Sequence, residues 1–323
     1  MERSPLRIGV LGARGRLGSM IMRVLERQDG VCALAAGQDF PDLDAVINTA
    51  PLRDATWHRN ALEAGCHVVD VTIDRGLVRS LLALDPAARQ HGRSVIAMAG
   101  LAPGLTGLLA RQSLAHFPAA GRVQVSLLQS AAGTAGKQGT RDMMDLLTQP
   151  PCNYRQRVVP VGTGISPATR KLFDMDTPEQ EFLQDAARMH FVTGFQSRFL
   201  NLAVHGLALL RGPAPRAYGW LRDTIADIKA GSKEASVEAI ELGALALDGE
   251  GRVLAMQSIR LASDYGATAA IACAAALHAA QGRTPAGAGH LGDFMALATL
   301  LDHPLLSPQL LDGRLRLPET DAR

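Results

Sequence analysis

An apolar run, Leu6-Arg7-Ile8-Gly9-Val10-Leu11, ends in Gly12-Ala13-Arg14-Gly15-Arg16-Leu17-Gly18, three glycines spaced three apart. A helical pattern follows at once. Met20, Ile21, Val24 and Leu25 make an apolar stripe, and Arg23, Glu26 and Arg27 fall on the other side. Strand, glycine turn and amphipathic helix in this order constrain the fold more than any other stretch of the chain. Gly12 permits a tight reversal, Gly15 lets backbone approach a ligand, and Gly18 lets the helix lie close to its strand. The helix start offers unpaired N–H groups and the positive end of its dipole, which suits the pyrophosphate of a dinucleotide. The spacing is GxxGxxG rather than GxGxxG, and an ordinary glycine turn in an α/β protein has it too. The flanking strand and helix favour the dinucleotide reading.

Strands and helices then alternate. Residues 31–36 read as a second strand whose tip, Ala36-Gly37-Gln38, lacks the acid that holds an adenosine ribose in NAD sites; the next acid is Asp39. Arg14 and Arg16 lie in the turn, where a guanidinium pairs with a 2′-phosphate or is simply solvated. This tilts the expected cofactor towards NADP, with NAD as the other choice. A third strand over 44–50 arrives after too short a link for a full crossover helix. A helix over 53–64, strands over 67–72 and 94–99, and a turn Gly100-Leu101-Ala102-Pro103-Gly104 leading into another helix complete the pattern. Residues 1–120 therefore predict a Rossmann-type, doubly wound parallel sheet.

The character then changes. Clean alternation over 122–128, a strand near 157–161, and two longer strands over 235–247 and 252–261 around Asp248-Gly249-Glu250-Gly251 predict an α+β domain over 121–262 with an open antiparallel sheet. A helix over 197–210 lies between. Residues 263–323 read as a helical return to the first domain: Ala267, Ala270, Ile271, Ala274 and Leu277 share one face of a helix over 264–281, and another helix is expected near 291–301. With a net charge of +2 and no basic block, nucleic acid is not an indicated partner. No apolar stretch reaches membrane-spanning length and no apolar leader opens the sequence, so a cytoplasmic protein without a membrane partner is expected. Cys32, Cys66, Cys152 and Cys273 lack ligand spacing and read as reduced thiols, with no metal site.

In such a sheet ligands bind outside the carboxyl ends of the strands. Asn48, Ala50 and Pro51 would line the wall beside the dinucleotide, with Leu17 inside the cradle, and Asp70, Thr72 and Gly100 would flank the nicotinamide. Asp70 and Thr72 serve equally well as contacts to substrate or as caps of the next helix. In the second domain, Gly133-Thr134-Ala135-Gly136-Lys137-Gln138-Gly139-Thr140 is glycine-rich and precedes a helix, with Thr140 a candidate N-cap. Gln138 stands where a P-loop needs Ser or Thr, which sets nucleoside triphosphates aside. Lys137 and Arg141 suit a substrate carboxylate, and a solvated loop is the alternative. Arg198 is a further candidate carboxylate ligand, His205 a candidate proton donor or a core histidine, and Tyr265 a candidate to reach the cleft.

His67-Val68-Val69-Asp70-Val71-Thr72, Ala99-Gly100-Leu101-Ala102-Pro103-Gly104-Leu105 and Asp264-Tyr265-Gly266-Ala267-Thr268 resemble segments of the saccharopine dehydrogenase (glutamate-forming) superfamily. The resemblance implies a two-domain, NAD(P)-dependent enzyme, dimeric through its second domain, that interconverts a secondary amine with an imine. Ala102 stands where that family carries an acid, which points away from saccharopine itself as the substrate. The turn Gly12–Gly18 is also similar to that of dihydrodipicolinate reductase, another C=N reductase, but residues 126–139 lack that enzyme's paired histidines. The expected function is reduction of an imine of an amino-acid-derived small molecule, with Lys137, His205 and Tyr265 as candidate catalytic groups. The alternatives are a ketone or other carbonyl reductase and a dinucleotide-binding regulatory or assembly protein without turnover.

Overall fold

A computed structural model of the chain describes residues 4–130, 137–149, 152–161, 166–231 and 239–312. The first half runs β1 (Leu6–Leu11), α1 (Arg16–Glu26), β2 (Val31–Ala35), β3 (Ala45–Asn48), α2 (Thr56–Glu63), β4 (His67–Asp70), α3 (Arg75–Leu82), α4 (Asp85–Gln90), β5 (Ser94–Ala97) and α5 (Leu105–His116). It continues with β6 (Arg122–Gln129), α6 (Lys137–Leu147), β7 (Tyr154–Val161), β8 (Ser166–Asp174), α7 (Glu179–Phe182), β9 (Met189–Phe195), α8 (Arg198–Leu210) and α9 (Pro215–Gly231). The last elements are β10 (Ile240–Leu247), β11 (Val253–Leu261), α10 (Asp264–Ala280), β12 (Gly287–His290), α11 (Leu291–Phe294), α12 (Leu297–Leu301) and β13 (Leu310–Asp312). Two compact units result. The first takes the residues up to Leu108 together with Glu181–Leu183 and Tyr265–Gln309; the second takes Leu109–Gln180, Gln184–Asp264 and the stretch from Leu310.

The first unit holds a six-stranded sheet in the order β12-β5-β4-β3-β1-β2, parallel at every pairing. Helices must cover both faces of such a sheet, and every residue of β3, β4 and β5 is buried. β2 and β3 lie on opposite sides of β1, so the switch point is at β1. The β2–β3 link carries no helix, as its length dictates. α10 is buried on nearly every side, and its alanines let it approach α1 so closely that Cys273 Sγ lies 3.8 Å from the Ile21 carbonyl oxygen. β12 was not expected: Gly-Ala-Gly-His has no β-branched residue, and the strand exists because its backbone pairs with β5. The helix expected over 291–301 is broken into α11 and α12 by extended backbone at Met295 and Ala296.

The second unit holds a seven-stranded sheet, β13-β11-β10-β6-β9-β8-β7. β10 and β11 form the hairpin expected around Asp248–Gly251. The sheet is mixed rather than wholly antiparallel. The β7–β8 hairpin intervenes between β6 and β9, and β9 returns in the same direction as β6. α6, α8 and α9 share one apolar cluster with this sheet, built on Met144, Leu147, Phe173, Phe195, Val204, Leu207 and Tyr218. No helix among the described residues is long and apolar enough to cross a membrane.

Candidate dinucleotide site

The cradle begins where β1 ends. Gly12 takes φ +81°, a left-handed conformation, and a Cβ there would stand 2.6 Å from Thr49 Oγ1. Gly18, buried in the first turn of α1, lies over the turn itself: a Cβ would stand 2.1 Å from the Gly12 carbonyl oxygen and 2.9 Å from Ala13 Cα. Gly15 is different. It is the N-cap of α1 at an ordinary φ of −70°, exposed, with room for a Cβ that meets only the Gly12 oxygen at 3.2 Å. No side chain caps α1 and its first turn carries no acid, which keeps the positive end of the helix available to an anion. Arg14 is exposed, while Arg16 and Leu17 are half-buried.

The next two strand ends are tied to each other. Asn48, the last residue of β3, donates from Nδ2 to Asp70 Oδ2 at 2.7 Å and to the Ala50 carbonyl oxygen at 3.1 Å; its Oδ1 accepts the Ala50 amide at 2.9 Å. Asp70, the last residue of β4, is fully buried, and its Oδ1 accepts the Thr72 amide at 2.6 Å. His58, two residues into α2 and also fully buried, places Nε2 2.6 Å from Asp70 Oδ2. Asp70 is thus turned inward, fixing the loops around it, while Thr72, half-buried, accepts the Asp74 amide on Oγ1. Asp74, not either of these, caps α3, accepting the Leu77 amide at 2.7 Å. Ala50 is half-buried and Pro51 exposed.

The fourth strand end carries the tightest turn. Gly100 N–H bonds the Pro103 carbonyl oxygen at 3.1 Å, and Leu105 N–H bonds that of Gly100 at 2.9 Å. Gly104 has φ +132°, and a Cβ there would strike the Gly100 oxygen at 2.2 Å. Met98, buried just beyond β5, is held at φ +55°, an uncommon conformation for a side chain of this size. Thr268 of α10 fastens the turn, its Oγ1 accepting the Leu101 amide at 3.2 Å. Tyr265 lies in the same first turn of α10, half-buried. The first unit therefore gathers Gly12, Arg14, Gly15, Arg16, Leu17, Gly18, Asn48, Ala50, Pro51, Asp70, Thr72 and Gly100 at the carboxyl ends of β1, β3, β4 and β5.

Lys137, Arg141, Arg198 and His205 belong to the second unit. Lys137 and Arg141 on α6 pair with Asp227 and Asp223 on α9, the latter at 3.0 Å, so an arriving carboxylate would compete with these partners. Residues 133–136 lie outside the described residues, and α6 starts at Lys137, which puts Thr140 inside the helix and not at its cap. Arg198 is the exposed first residue of α8. The His205 ring stacks on Tyr154 at 4.7 Å, with Cys152 Sγ 3.9 Å from Nδ1.

His58, Trp57 and Met98 carried no site role in the sequence, and Thr268 appeared there only within the segment Asp264–Thr268. For His58 a signal exists. In a βαβ unit the first turn of the helix and the end of the following strand lie at one sheet edge, so a histidine and an aspartate at those two places are brought together.

No family model matches the chain, and no curated protein matches it. Among solved structures, apo saccharopine dehydrogenase (L-Glu forming) from Saccharomyces cerevisiae aligns with a TM-score of 0.55 at 12% identity, over 97% of this chain and 100% of that one. DAP dehydrogenase of C. glutamicum, in complex with DAP, gives 0.48 at 13% identity over 94% and 98%. Dipicolinate-bound dihydrodipicolinate reductase from Paenisporosarcina sp. TG-14 gives 0.43 at 10% over 90% and 98%. The likeness to the yeast structure establishes the fold, a Rossmann-type parallel sheet joined in one chain to a mixed sheet.

Proposed function

We propose that this chain is an NADP(H)-dependent oxidoreductase that reduces a C=N bond of an amino-acid-derived substrate. The observation that carries the dinucleotide is the cradle: Gly12 and Gly18 sit where any Cβ would collide, at the switch point and ahead of an uncapped helix start. Arg14 and Arg16 would meet a 2′-phosphate, which β2 does not discourage because its tip has no acid. When bound, the nicotinamide supplies a hydride. The chain's own part is to hold the cofactor along the ends of β1, β3, β4 and β5, to bind the substrate carboxylates through Arg141 and Arg198, and to supply a proton from Lys137, His205 or Tyr265. The imine itself is supported by the motif resemblance and by a fold shared with the yeast structure.

The test is a titration of the purified chain with NADPH and NADH, followed by turnover with carbonyl compounds alone and together with amines. NADPH oxidation that needs both partners supports the proposal; oxidation with carbonyl alone, unaffected by amine, replaces it with a carbonyl reductase. A second reading, dinucleotide binding without turnover, is favoured by the pairing of Lys137 and Arg141 with Asp227 and Asp223. Tight NADPH binding with no turnover across the panel would establish it.

A further inference from the structure

We propose that His58 and Asp70 form a buried positioning dyad that locks two loops, Asn48 to Pro51 and Asp70 to Thr72, into one rigid edge. The functional half of this proposal rests on the dinucleotide reading of that edge. His58 Nε2 lies 2.6 Å from Asp70 Oδ2, and in the tautomer that carries its proton on Nε2 it donates to that oxygen. The same oxygen takes Asn48 Nδ2, and Oδ1 takes the Thr72 amide. One carboxylate thereby joins α2, the end of β3 and the turn after β4. Asn48 passes the constraint on, gripping Ala50 by both its amide and its carbonyl oxygen.

Both side chains are completely buried, and among the described residues Nδ1 of His58 has no hydrogen-bond partner, which leaves Asp70 as the polar attachment of the ring. A buried imidazole with one nitrogen unmatched carries a desolvation cost, tolerable where the other nitrogen does work that a hydrocarbon cannot do. Trp57 packs edge-on against the ring, with centroids 5.3 Å apart, and fixes its orientation. His58 touches no reacting group and is a positioning residue.

His58→Ala, His58→Gln and a control, Leu62→Ala, separate this role from packing. Leu62 is fully buried one turn further along α2. Amide hydrogen exchange of the full chain without cofactor is read at Ala50 and Thr72, against Val46 within β3. In His58→Ala the first two amides lose protection by about tenfold or more while Val46 keeps its own; His58→Gln, which retains an N–H donor, restores them to within about threefold. NADPH affinity follows the same order, falling about tenfold in His58→Ala and recovering in His58→Gln. Leu62→Ala lowers the melting temperature and leaves both readouts unchanged. Unchanged protection at Ala50 and Thr72 in His58→Ala, or equal losses in Leu62→Ala, would overturn the dyad. If the wild-type chain binds no dinucleotide, the proposed function falls and the exchange experiment still decides the dyad by itself.

Discussion

Gly18→Ala sets two known effects against each other. Alanine is the better helix former by about 1 kcal/mol, so on propensity alone α1 should gain. The structure reverses the sign. The new Cβ would stand 2.1 Å from the Gly12 oxygen, 2.7 Å from its carbon and 2.9 Å from Ala13 Cα, all backbone atoms with no rotamer to yield. Comfortable separations begin near 3.5 Å, so α1 must retreat from the turn by roughly 1 Å. Overpacking of this kind costs about 1–3 kcal/mol, and an unyielding backbone puts it at the upper end, leaving a net loss of about 2 kcal/mol. The retreat would also carry the helix amides away from the place of the proposed pyrophosphate. Weakening one charge-assisted hydrogen bond of about 1.5–3 kcal/mol raises the Kd for NADPH at least about tenfold. Gly15→Ala is the counterpart: its φ of −70° suits alanine and the nearest atom is 3.2 Å away, so stability stays within about 0.5 kcal/mol. Its methyl group would lie where the proposed phosphate approaches, and the Kd is expected to rise as much as for Gly18→Ala. Urea unfolding followed by circular dichroism gives the first quantity and NADPH fluorescence titration the second. A Gly18→Ala protein that is more stable than wild type and binds NADPH normally would refute the reasoning.

Gly104→Ala combines a φ of +132° with backbone contacts of 2.2, 2.5 and 2.8 Å, and is expected to lose about 3 kcal/mol or fail to fold; a native-like urea midpoint contradicts this. Arg14→Glu is expected to weaken NADPH binding about tenfold or more and to leave NADH within about threefold, and equal losses for both would remove the arginine from the 2′-phosphate site. Burial, aided by the Arg93 guanidinium, pushes the His67 imidazole down to about 4, consistent with the Ser94 amide donating to its Nδ1. The unfolded chain binds this proton near the ordinary value of about 6.5, so stability is intact above that pH and is lost as pH falls towards 4. The loss from pH 7.5 to 5 is at most about 2 kcal/mol, and His67→Gln should remove that share of the slope in paired urea titrations.

Local signals that coincide with tertiary demand were legible. The glycine turn could be read because its steric needs are local, and so could the Asp248–Gly251 hairpin and the alanine face of α10. β12 was hidden because Gly287–His290 borrows its conformation from β5. The parallel β6–β9 pairing was hidden too, since alternation reports which face is buried and not the direction of the neighbour. Asp70 was visible as a strand-end acid, but its inward turn was not, because that depends on a donor twelve residues earlier. Lys137 and Arg141 read as spare cations because their partners on α9 lie more than eighty residues away.

One helix carries two of the attachments that shape the candidate site. Trp57 and His58 are adjacent at the start of α2, so their side chains leave the helix about 100° apart. Trp57 donates from Nε1 to the Gly37 carbonyl oxygen at 2.7 Å, just past the tip of β2, and packs edge-on against Phe40; His58 reaches Asp70 at the end of β4. The β2–β3 link has no helix to hold it against the sheet, and the indole takes over that task from across the switch point. The consequence concerns the side of the cradle where an adenosine would lie. In a fuller Rossmann sheet that wall is built by a crossover helix and a further strand; here the Trp57 indole and Phe40 hold the outer part of the link, between the Ala36 amide on the Val10 carbonyl oxygen and the buried Leu43. Loss of Trp57 would loosen the stretch from Gly37 to Phe40, just past the tip of β2, while the Gly12–Gly18 turn kept its own steric closure. Affinity for the adenosine half should therefore fall further than affinity for the nicotinamide half. Titration of wild type and Trp57→Leu with 2′,5′-ADP and with nicotinamide mononucleotide reads the two halves separately, and equal losses for the two ligands would mean that the turn, and not the indole, sets the adenosine wall.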